Sequence, residues 1–171
     1  MGQLALVFVE IALHRKGPDA LPASQFLFGL VLSVYLVVSL ITLLISWPLD
    51  MALGAMILNV IFYLAFFAIV LLIARRIHRY RQTMMALLGT ETLLSCLSLP
   101  LLLTRTTGSE GSSAETLATT ALLLILLWSI DIAGFVISRA LDKPYIVGVS
   151  IMVGYVISSM VLGEFLLPSP D

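Results

Sequence analysis

Five long apolar stretches, separated by short polar segments, dominate the pattern of hydrophobic and polar positions along this chain. Each stretch is long enough to cross the hydrocarbon core of a bilayer as a helix, which takes about 20 mostly apolar residues. Transmembrane β-strands are shorter and alternate apolar with polar positions, so the pattern predicts helices. The predicted spans cover residues 26–47, 51–74, 83–104, 116–138 and 145–167.

A shorter apolar segment precedes the first span and is predicted to form a separate helix over residues 2–16. It is too short to cross a bilayer, and its polar residues Gln3, Glu10 and His14 fall on one helical face. This pattern is typical of an amphipathic helix that lies in the membrane interface. Two alternatives are a cleaved signal peptide, although no basic region precedes the apolar run, and a segment packed against the bundle.

The predicted fold class is therefore all-α. We expect a polytopic membrane helix bundle with five transmembrane helices and an N-terminal interfacial amphipathic helix, which together form a single membrane domain over residues 1–171. Most of the chain lies in the spans, and the connections between them are too short to hold a soluble catalytic domain. Any chemistry must therefore take place among the helices.

The composition agrees with a chain whose solvent is the bilayer. It is 60% hydrophobic and 11% charged, with a mean hydropathy of +1.12, whereas a soluble domain carries about 25% charged residues. This balance excludes a water-soluble enzyme and a nucleic-acid binder with a basic face. The single cysteine, Cys96, has no disulfide partner, and neither His14 nor His78 has a metal-ligand partner at helical spacing. We therefore expect a chain that is not an enzyme and has no catalytic residue, metal or cofactor.

The basic residues sort to one side of the predicted spans and so predict an orientation. Of the nine Lys and Arg residues, only Arg105 lies on the other side. Positive charges in short loops stay in the cytoplasm, so the N-terminus is predicted to be cytoplasmic and the C-terminus outside. The loop between the second and third spans either anchors this topology or binds anionic lipid headgroups. A nucleic acid is not expected to bind there, because a single short loop offers too few phosphate contacts. The basic residues of this loop are Arg75, Arg76, Arg79 and Arg81.

Polar residues inside the predicted spans are the candidate functional residues, because a carboxyl in lipid is costly unless it is paired, hydrogen-bonded or protonated. Glu91 lies about 12 Å from the cytoplasmic end of the third span, and Asp131 about 10 Å from that of the fourth. Because the two carboxyls lie at similar depths, they could form one shared site for a proton, an ion or a partner helix. The alternative is that each carboxyl makes a separate structural hydrogen bond to a neighbouring helix. Asn59, in the second span, is expected to hold helices together.

A stripe of small residues on the fifth span predicts a surface for close helix packing. Ser150, Gly154 and Ser158 follow one another at a spacing of four residues, which puts them on one helical face. The expected partners of the chain are the lipid bilayer and other membrane-protein subunits or further copies of itself.

The order of these parts resembles the small bacterial members of the Yip family, which are five-helix membrane proteins. The resemblance covers roughly residues 24–167 and rests on the charge-free helical hairpin, the basic loop and the opening of the third span, QTMMALLGTETLLSCLSLPL, with Pro100 near its end. It implies a five-helix protein of the bacterial inner membrane. Eukaryotic members are implicated in vesicle traffic and contact Rab-type GTPases through a cytosolic N-terminal region. Here that region is only about 25 residues long, so this partner is not implied.

Two functions are consistent with these features. The short loops and the small-residue stripe predict a non-enzymatic integral membrane protein, an accessory or assembly subunit of a larger membrane complex that acts through helix–helix and lipid contacts. The alternative is a transporter or channel component that uses Glu91 and Asp131 to handle protons or ions. Five spans without an internal repeat do not make a transporter alone, so this alternative requires an oligomer.

Overall fold

The computed structural model describes residues 2–107 and 112–166, and within these ranges the chain is helical and has no β-strand. The predicted all-α class is therefore confirmed. Two of the connections contain a single turn of 3₁₀-helix, Pro18–Ala20 and Ile77–Arg79. The helices are α1 (Gly2–Ala12), α2 (Gln25–Leu44), α3 (Leu49–Ile73), α4 (Tyr80–Thr107), α5 (Ser113–Leu141) and α6 (Tyr145–Leu166).

Five of these helices, α2 to α6, are long and apolar enough to cross a membrane, as predicted. Several of their ends differ from the predicted spans, because hydropathy marks the apolar middle of a helix and not its caps. α4 begins at Tyr80 and continues to Thr107. α5 begins after Ser112, whose side chain accepts a hydrogen bond from the Glu115 N–H (3.2 Å), and ends at Asp142, which takes a left-handed conformation. Both helices therefore extend into polar residues.

The first predicted span is too long at its end. α2 stops at Leu44, and Trp47 lies in the turn before α3. Pro48 explains this end, since the residue before a proline is disfavoured in the helical conformation and proline itself has no N–H to donate. The predicted end of the fifth span, Leu167, lies outside the described residues.

α4 is the central helix of the bundle. All eight residues from 83 to 90 are buried, and Met84, Met85 and Leu88 have no exposed surface. Because a helix turns fully in 3.6 residues, burial of two successive turns means that other helices surround α4 at this level. The contacts are made by α1, α2 and α5.

The N-terminal helix packs on the bundle with one face. Phe8, Ile11 and Ala12 of α1 are buried, and the Phe8 ring lies directly over Gly89 of α4, where a side chain would meet the ring. The helix ends at Ala12, before the predicted end at residue 16, because His14 turns the backbone into the left-handed region (φ 59°). These contacts match the alternative of packing against the bundle, and the interfacial placement stays a prediction.

The three basic segments meet at one end of the bundle, which we call the basic end (residues 14–21, 75–82 and 139–145). Arg79, between α3 and α4, donates to the Asp142 carboxylate between α5 and α6 (3.0 Å). The Gln82 amide donates to the Leu21 carbonyl oxygen in the segment between α1 and α2 (2.8 Å). The charge pattern along the chain therefore corresponds to a real clustering in space.

Two glycines bring helices α5 and α6 close together. Gly134 and Gly148 face each other so closely that a side chain on Gly148 would meet the Gly134 carbonyl oxygen. The predicted packing stripe lies elsewhere on α6: Ser150 and Ser158 are exposed, and a side chain added at Gly154 would enter open space. Within the described chain, this stripe has no helix against it.

Candidate functional site

A cavity of about 460 Å³ opens between α2, α3, α4 and α6, and we call it the central cavity. Its wall combines a single carboxyl with aromatic rings and small polar side chains. The polar and aromatic lining residues are Tyr35, Ser39, Thr42, Trp47, Asn59, Phe62, Tyr63, Glu91, Ser95, Tyr155 and Ser159.

The polar groups of the central cavity lie near the middle of their helices. Helices α2, α4 and α6 all start at the basic end. Tyr35 lies ten residues after the start of α2, Glu91 eleven after the start of α4, and Tyr155 ten after the start of α6. At 1.5 Å per residue, each side chain is roughly 15 to 17 Å along the bundle. Asn59, on the antiparallel α3, is ten residues from the opposite end. The cavity floor is therefore at half height, and the cavity extends to Trp47 and Gly163 at the far end.

Glu91 supplies the only carboxyl among the described lining residues. No hydrogen bond or ion pair to this carboxyl occurs within residues 2–107 and 112–166, although it interacts electrostatically with Tyr35, Tyr63 and Tyr155. Glu91 also lines a smaller groove between α4 and α5, together with Ser98. The carboxyl thus lies where two openings into the bundle meet.

The aromatic floor of the central cavity is rigidly packed. Tyr155 of α6 contacts four rings of α3 at centroid distances of 5.1 to 5.6 Å, those of Phe62, Tyr63, Phe66 and Phe67. The contacts with Tyr63 and Phe66 are edge-to-face, a geometry that aromatic pairs prefer, and all of them bury apolar surface. The Tyr155 hydroxyl lies near the Asn59 side chain, and the Tyr35 hydroxyl lies near the Ser39 side chain. Asn59 of α3 thus lies beside Tyr155 of α6, and its expected role in holding helices together stays a prediction.

Asp131 has different partners from Glu91. Its carboxylate lies 3.3 Å from the His14 imidazole, which follows α1, and accepts a short hydrogen bond from the Tyr145 hydroxyl at the start of α6. His14 also stacks on the Phe135 ring, with centroids 4.4 Å apart. Asp131 is not among the residues that line the central cavity or the α4–α5 groove. The contacts thus show Asp131 holding the chain after α1 onto α5 and α6, and a site shared with Glu91 stays a prediction.

The arginines of the basic loop divide into two pairs. Arg76 and Arg79 both contact the Asp142 carboxylate at 3.0 Å, and the hydrogen bond from Arg79 lowers the pKa of that carboxyl below its usual range. Arg75 and Arg81 are exposed. The first pair therefore joins two loops, and the second pair is free to meet lipid headgroups, which stays a prediction.

The sequence reasoning missed the three tyrosines of the central cavity. Tyr35, Tyr63 and Tyr155 were hidden because a ring inside an apolar stretch counts as apolar in any hydropathy pattern. The signal that would have found them is depth: a tyrosine at mid-span carries a hydroxyl far from water, and such a hydroxyl needs a polar partner.

Comparison with known protein families, with characterised proteins and with solved structures finds no match to this chain. The class defined by the fold is thus a helical bundle with five potential membrane spans and a polar cavity at half height. Among the described residues, no group of three or more His, Cys, Asp or Glu side chains is arranged to hold a metal ion.

Proposed function

We propose that this chain is an integral membrane protein whose central cavity handles a proton or a cation at Glu91, as a component of a transporter or channel. One observation carries the proposal: the Glu91 carboxyl faces an open cavity at half height of the bundle and has no ion-pair or hydrogen-bond partner in the described chain.

The free-energy cost of a charged carboxyl in the middle of a bilayer supports a functional role for Glu91. Five helices of this length and apolarity are suited to a bilayer, whose hydrocarbon core is about 30 Å thick, so Glu91 would lie near its middle. A charge at this depth costs several kcal/mol unless it is neutralised, and intramembrane carboxyls commonly mark proton or ion pathways. Binding a proton or a cation relieves that cost, and a cavity that reaches the far end gives either one access.

The remaining parts of the proposal concern placement and assembly. Clustering of the basic segments at one end favours a cytoplasmic N-terminus and an outer C-terminus in a bacterial inner membrane. The likeness to Yip-family proteins is kept as a hypothesis on architecture. We propose a non-enzymatic protein that functions as an oligomer. In many transporters one internal repeat moves against the other to open the site to each side of the membrane, and a single bundle of five spans has no such repeat.

Flux measurements in proteoliposomes test the role of Glu91. Purified protein is reconstituted with a pH-sensitive or a sodium-sensitive dye inside the vesicles, and a potassium diffusion potential drives proton or sodium entry. We expect Glu91→Gln to abolish the protein-dependent flux and Glu164→Gln, at an exposed acid near the end of α6, to keep it. Unchanged flux in Glu91→Gln, or no flux in the wild type, contradicts the proposal.

Asp131 serves as the internal comparison in the same assay. Asp131→Asn removes the partner of His14 and leaves the central cavity intact. If flux persists in this variant, Glu91 alone carries the function. If flux is lost while the variant remains folded by circular dichroism, the hypothesis of a site that uses both carboxyls is supported.

A second candidate function is favoured by the surface of α6. The exposed stripe of Ser150, Gly154 and Ser158 offers another helix a smooth surface for close approach, as an accessory or assembly subunit requires. The test is the mass of the complex purified in mild detergent. We expect Gly154→Leu to release a partner or dissociate a homo-oligomer, and Met160→Leu, at an exposed position to one side of the stripe, to keep it. A wild-type monomer without any partner contradicts this function.

A further inference from the structure

We infer that the central cavity binds a monovalent organic cation, with an ammonium-type head against Glu91 and an apolar or aromatic body among the rings. This inference rests on the proposed function, because it takes Glu91 as the working acid. It goes further by naming the chemical class of the ligand.

The charge of the cavity selects a cation. Glu91 is the one ionisable acid in its wall, and among the described residues that line it there is no Lys, Arg or His. An anionic ligand would therefore meet a carboxyl and no compensating positive group. A neutral ligand would leave Glu91 protonated, whereas a single positive charge can pair with the carboxylate that remains once the proton is lost.

The number of oxygen ligands argues against a bare metal ion. Magnesium and calcium ions need six or more oxygens around them, and they are held by several carboxylates or carbonyls together. The cavity offers one carboxylate, and the other polar side chains of its described wall are neutral hydroxyls, one amide and one indole. A cation that carries its own organic substituents needs no such shell, because it is weakly hydrated.

The aromatic rings provide the second part of the recognition. Five rings from four segments line the same cavity as Glu91: Tyr35, Trp47, Phe62, Tyr63 and Tyr155. The faces of such rings attract quaternary ammonium groups, and a wall of several rings with one carboxylate is the known way of binding them. Rings and carboxyl lie on five different segments, so the arrangement requires the folded bundle.

The size and shape of the cavity fit a ligand of this class. Its volume of about 460 Å³ is within the range of about 300 to 1,000 Å³ that is usual for small-molecule sites. Asn59 is exposed where it lines the cavity, so the site is open beside α3. An amphipathic cation can therefore enter with its head towards Glu91.

Binding exchanges a proton for the organic cation. A carboxyl at this depth is favoured as the neutral acid while the cavity is empty, and its O–H bond breaks when the ligand arrives. The proton passes to water through the end of the cavity beside Trp47 and Gly163, and the carboxylate forms an ion pair with the ammonium group. One positive charge enters as one leaves, so the charge of the site is unchanged and no oxidant or reductant is needed.

The binding experiment uses Trp47 as a reporter. The chain has two tryptophans, and Trp128→Phe removes the one on the exposed side of α5, so the fluorescence of Trp47 in the cavity wall remains. The detergent-solubilised protein is titrated with benzyltrimethylammonium, with its neutral carbon analogue neopentylbenzene, and with sodium. Release of protons is followed in weakly buffered solution.

We expect benzyltrimethylammonium to give a saturable fluorescence change with release of one proton, and neopentylbenzene and sodium to give neither. Glu91→Gln, which keeps the shape of the side chain, should weaken binding about tenfold or more. Tyr35→Phe keeps the ring and should bind nearly as the parent does, whereas Tyr35→Leu should bind several-fold more weakly. Phe26→Leu, at an exposed ring near the start of α2, is the control for general effects of losing an aromatic residue.

The outcomes separate this inference from the proposed function. Equal binding of the neutral analogue, or of the cation to Glu91→Gln, overturns the organic-cation site. If the cation does not bind but Glu91-dependent proton or sodium flux is observed, the inference is wrong and the proposed function stands. If neither binding nor flux depends on Glu91, both are wrong.

Discussion

At the scale of single residues, Asp142 performs two tasks. It ends α5 with a left-handed backbone (φ 52°), a conformation that few residues other than glycine, asparagine and aspartate adopt readily. Its carboxylate also forms ion pairs with Arg76 and Arg79, which both lie in the loop between α3 and α4. Asparagine tolerates the same backbone without the charge, so Asp142→Asn separates the two tasks.

The Asp142→Asn variant should be less stable than the wild type at neutral pH. The pKa of the Asp142 carboxyl is lowered in the folded protein, mainly by the hydrogen bond from Arg79. A lowered pKa stabilises the fold above the ordinary value of about 3.9, and this contribution is lost as the pH falls through the folded-state value. The melting temperatures of the two proteins should therefore differ near pH 7 in low salt and converge as the pH falls through the lowered folded-state value.

The comparison for Asp142→Asn is Asp19→Asn, another exposed acid at the basic end, for which no ion pair occurs among the described residues. Its melting temperature should match that of the wild type at both pH values. A difference for Asp142→Asn that persists at low pH would show that the backbone, not the charge, is responsible.

The residue scale also shows what the sequence predicts about the site. Glu91 stands out in a long apolar stretch, so it was found from the sequence, and it does line the central cavity. Tyr63 and Tyr155 were not found, because which rings meet depends on how α3 and α6 are rotated about their axes. Nothing in the spacing along one helix determines that rotation.

At the scale of elements, the α5–α6 contact shows a similar limit. Small residues lie on two faces of α6, and spacing alone does not tell which face meets α5. The face that carries Gly148 packs against Gly134 of α5, and Met152 and Tyr155 on this face are buried. The stripe through Gly154 lies on the other face and stays open. The presence of a close contact was therefore predictable, but its register was not.

Alanine substitutions at the two glycines should have opposite effects on stability. In Gly148→Ala the new methyl group meets the Gly134 carbonyl oxygen, which belongs to the backbone and cannot rotate away, so we expect destabilisation by about 1–3 kcal/mol. Gly154→Ala adds a methyl group in open space within a helix and should stabilise by about 0.5–1 kcal/mol. Unfolding in mixed micelles of increasing SDS fraction, followed by circular dichroism, measures both. Equal effects at the two positions would contradict this α5–α6 geometry.

At the scale of the whole molecule, the distribution of charge was the most predictable property. Each crossing of the bundle reverses direction, so basic segments separated by two spans return to the same end, and the contacts of Arg79 and Gln82 show them together. The central cavity was not predictable in this way, since it depends on the lateral arrangement of four helices around Glu91. Order along the chain thus determines the ends of the bundle, and packing determines its interior.

Cysteine labelling tests the proposed orientation of the whole bundle. In a Cys96→Ala background, single cysteines replace Lys143 at the basic end and Ser46 in the exposed turn between α2 and α3. A membrane-impermeant maleimide added to intact cells should label Ser46→Cys and leave Lys143→Cys unlabelled until the membrane is permeabilised, because the basic end is proposed to face the cytoplasm. Arg105→Cys, near the end of α4, should react as Ser46→Cys does, since α3 and α4 together return the chain to the far end. Labelling of all three positions from the same side would rule out five crossings, and labelling of Lys143→Cys alone would invert the orientation.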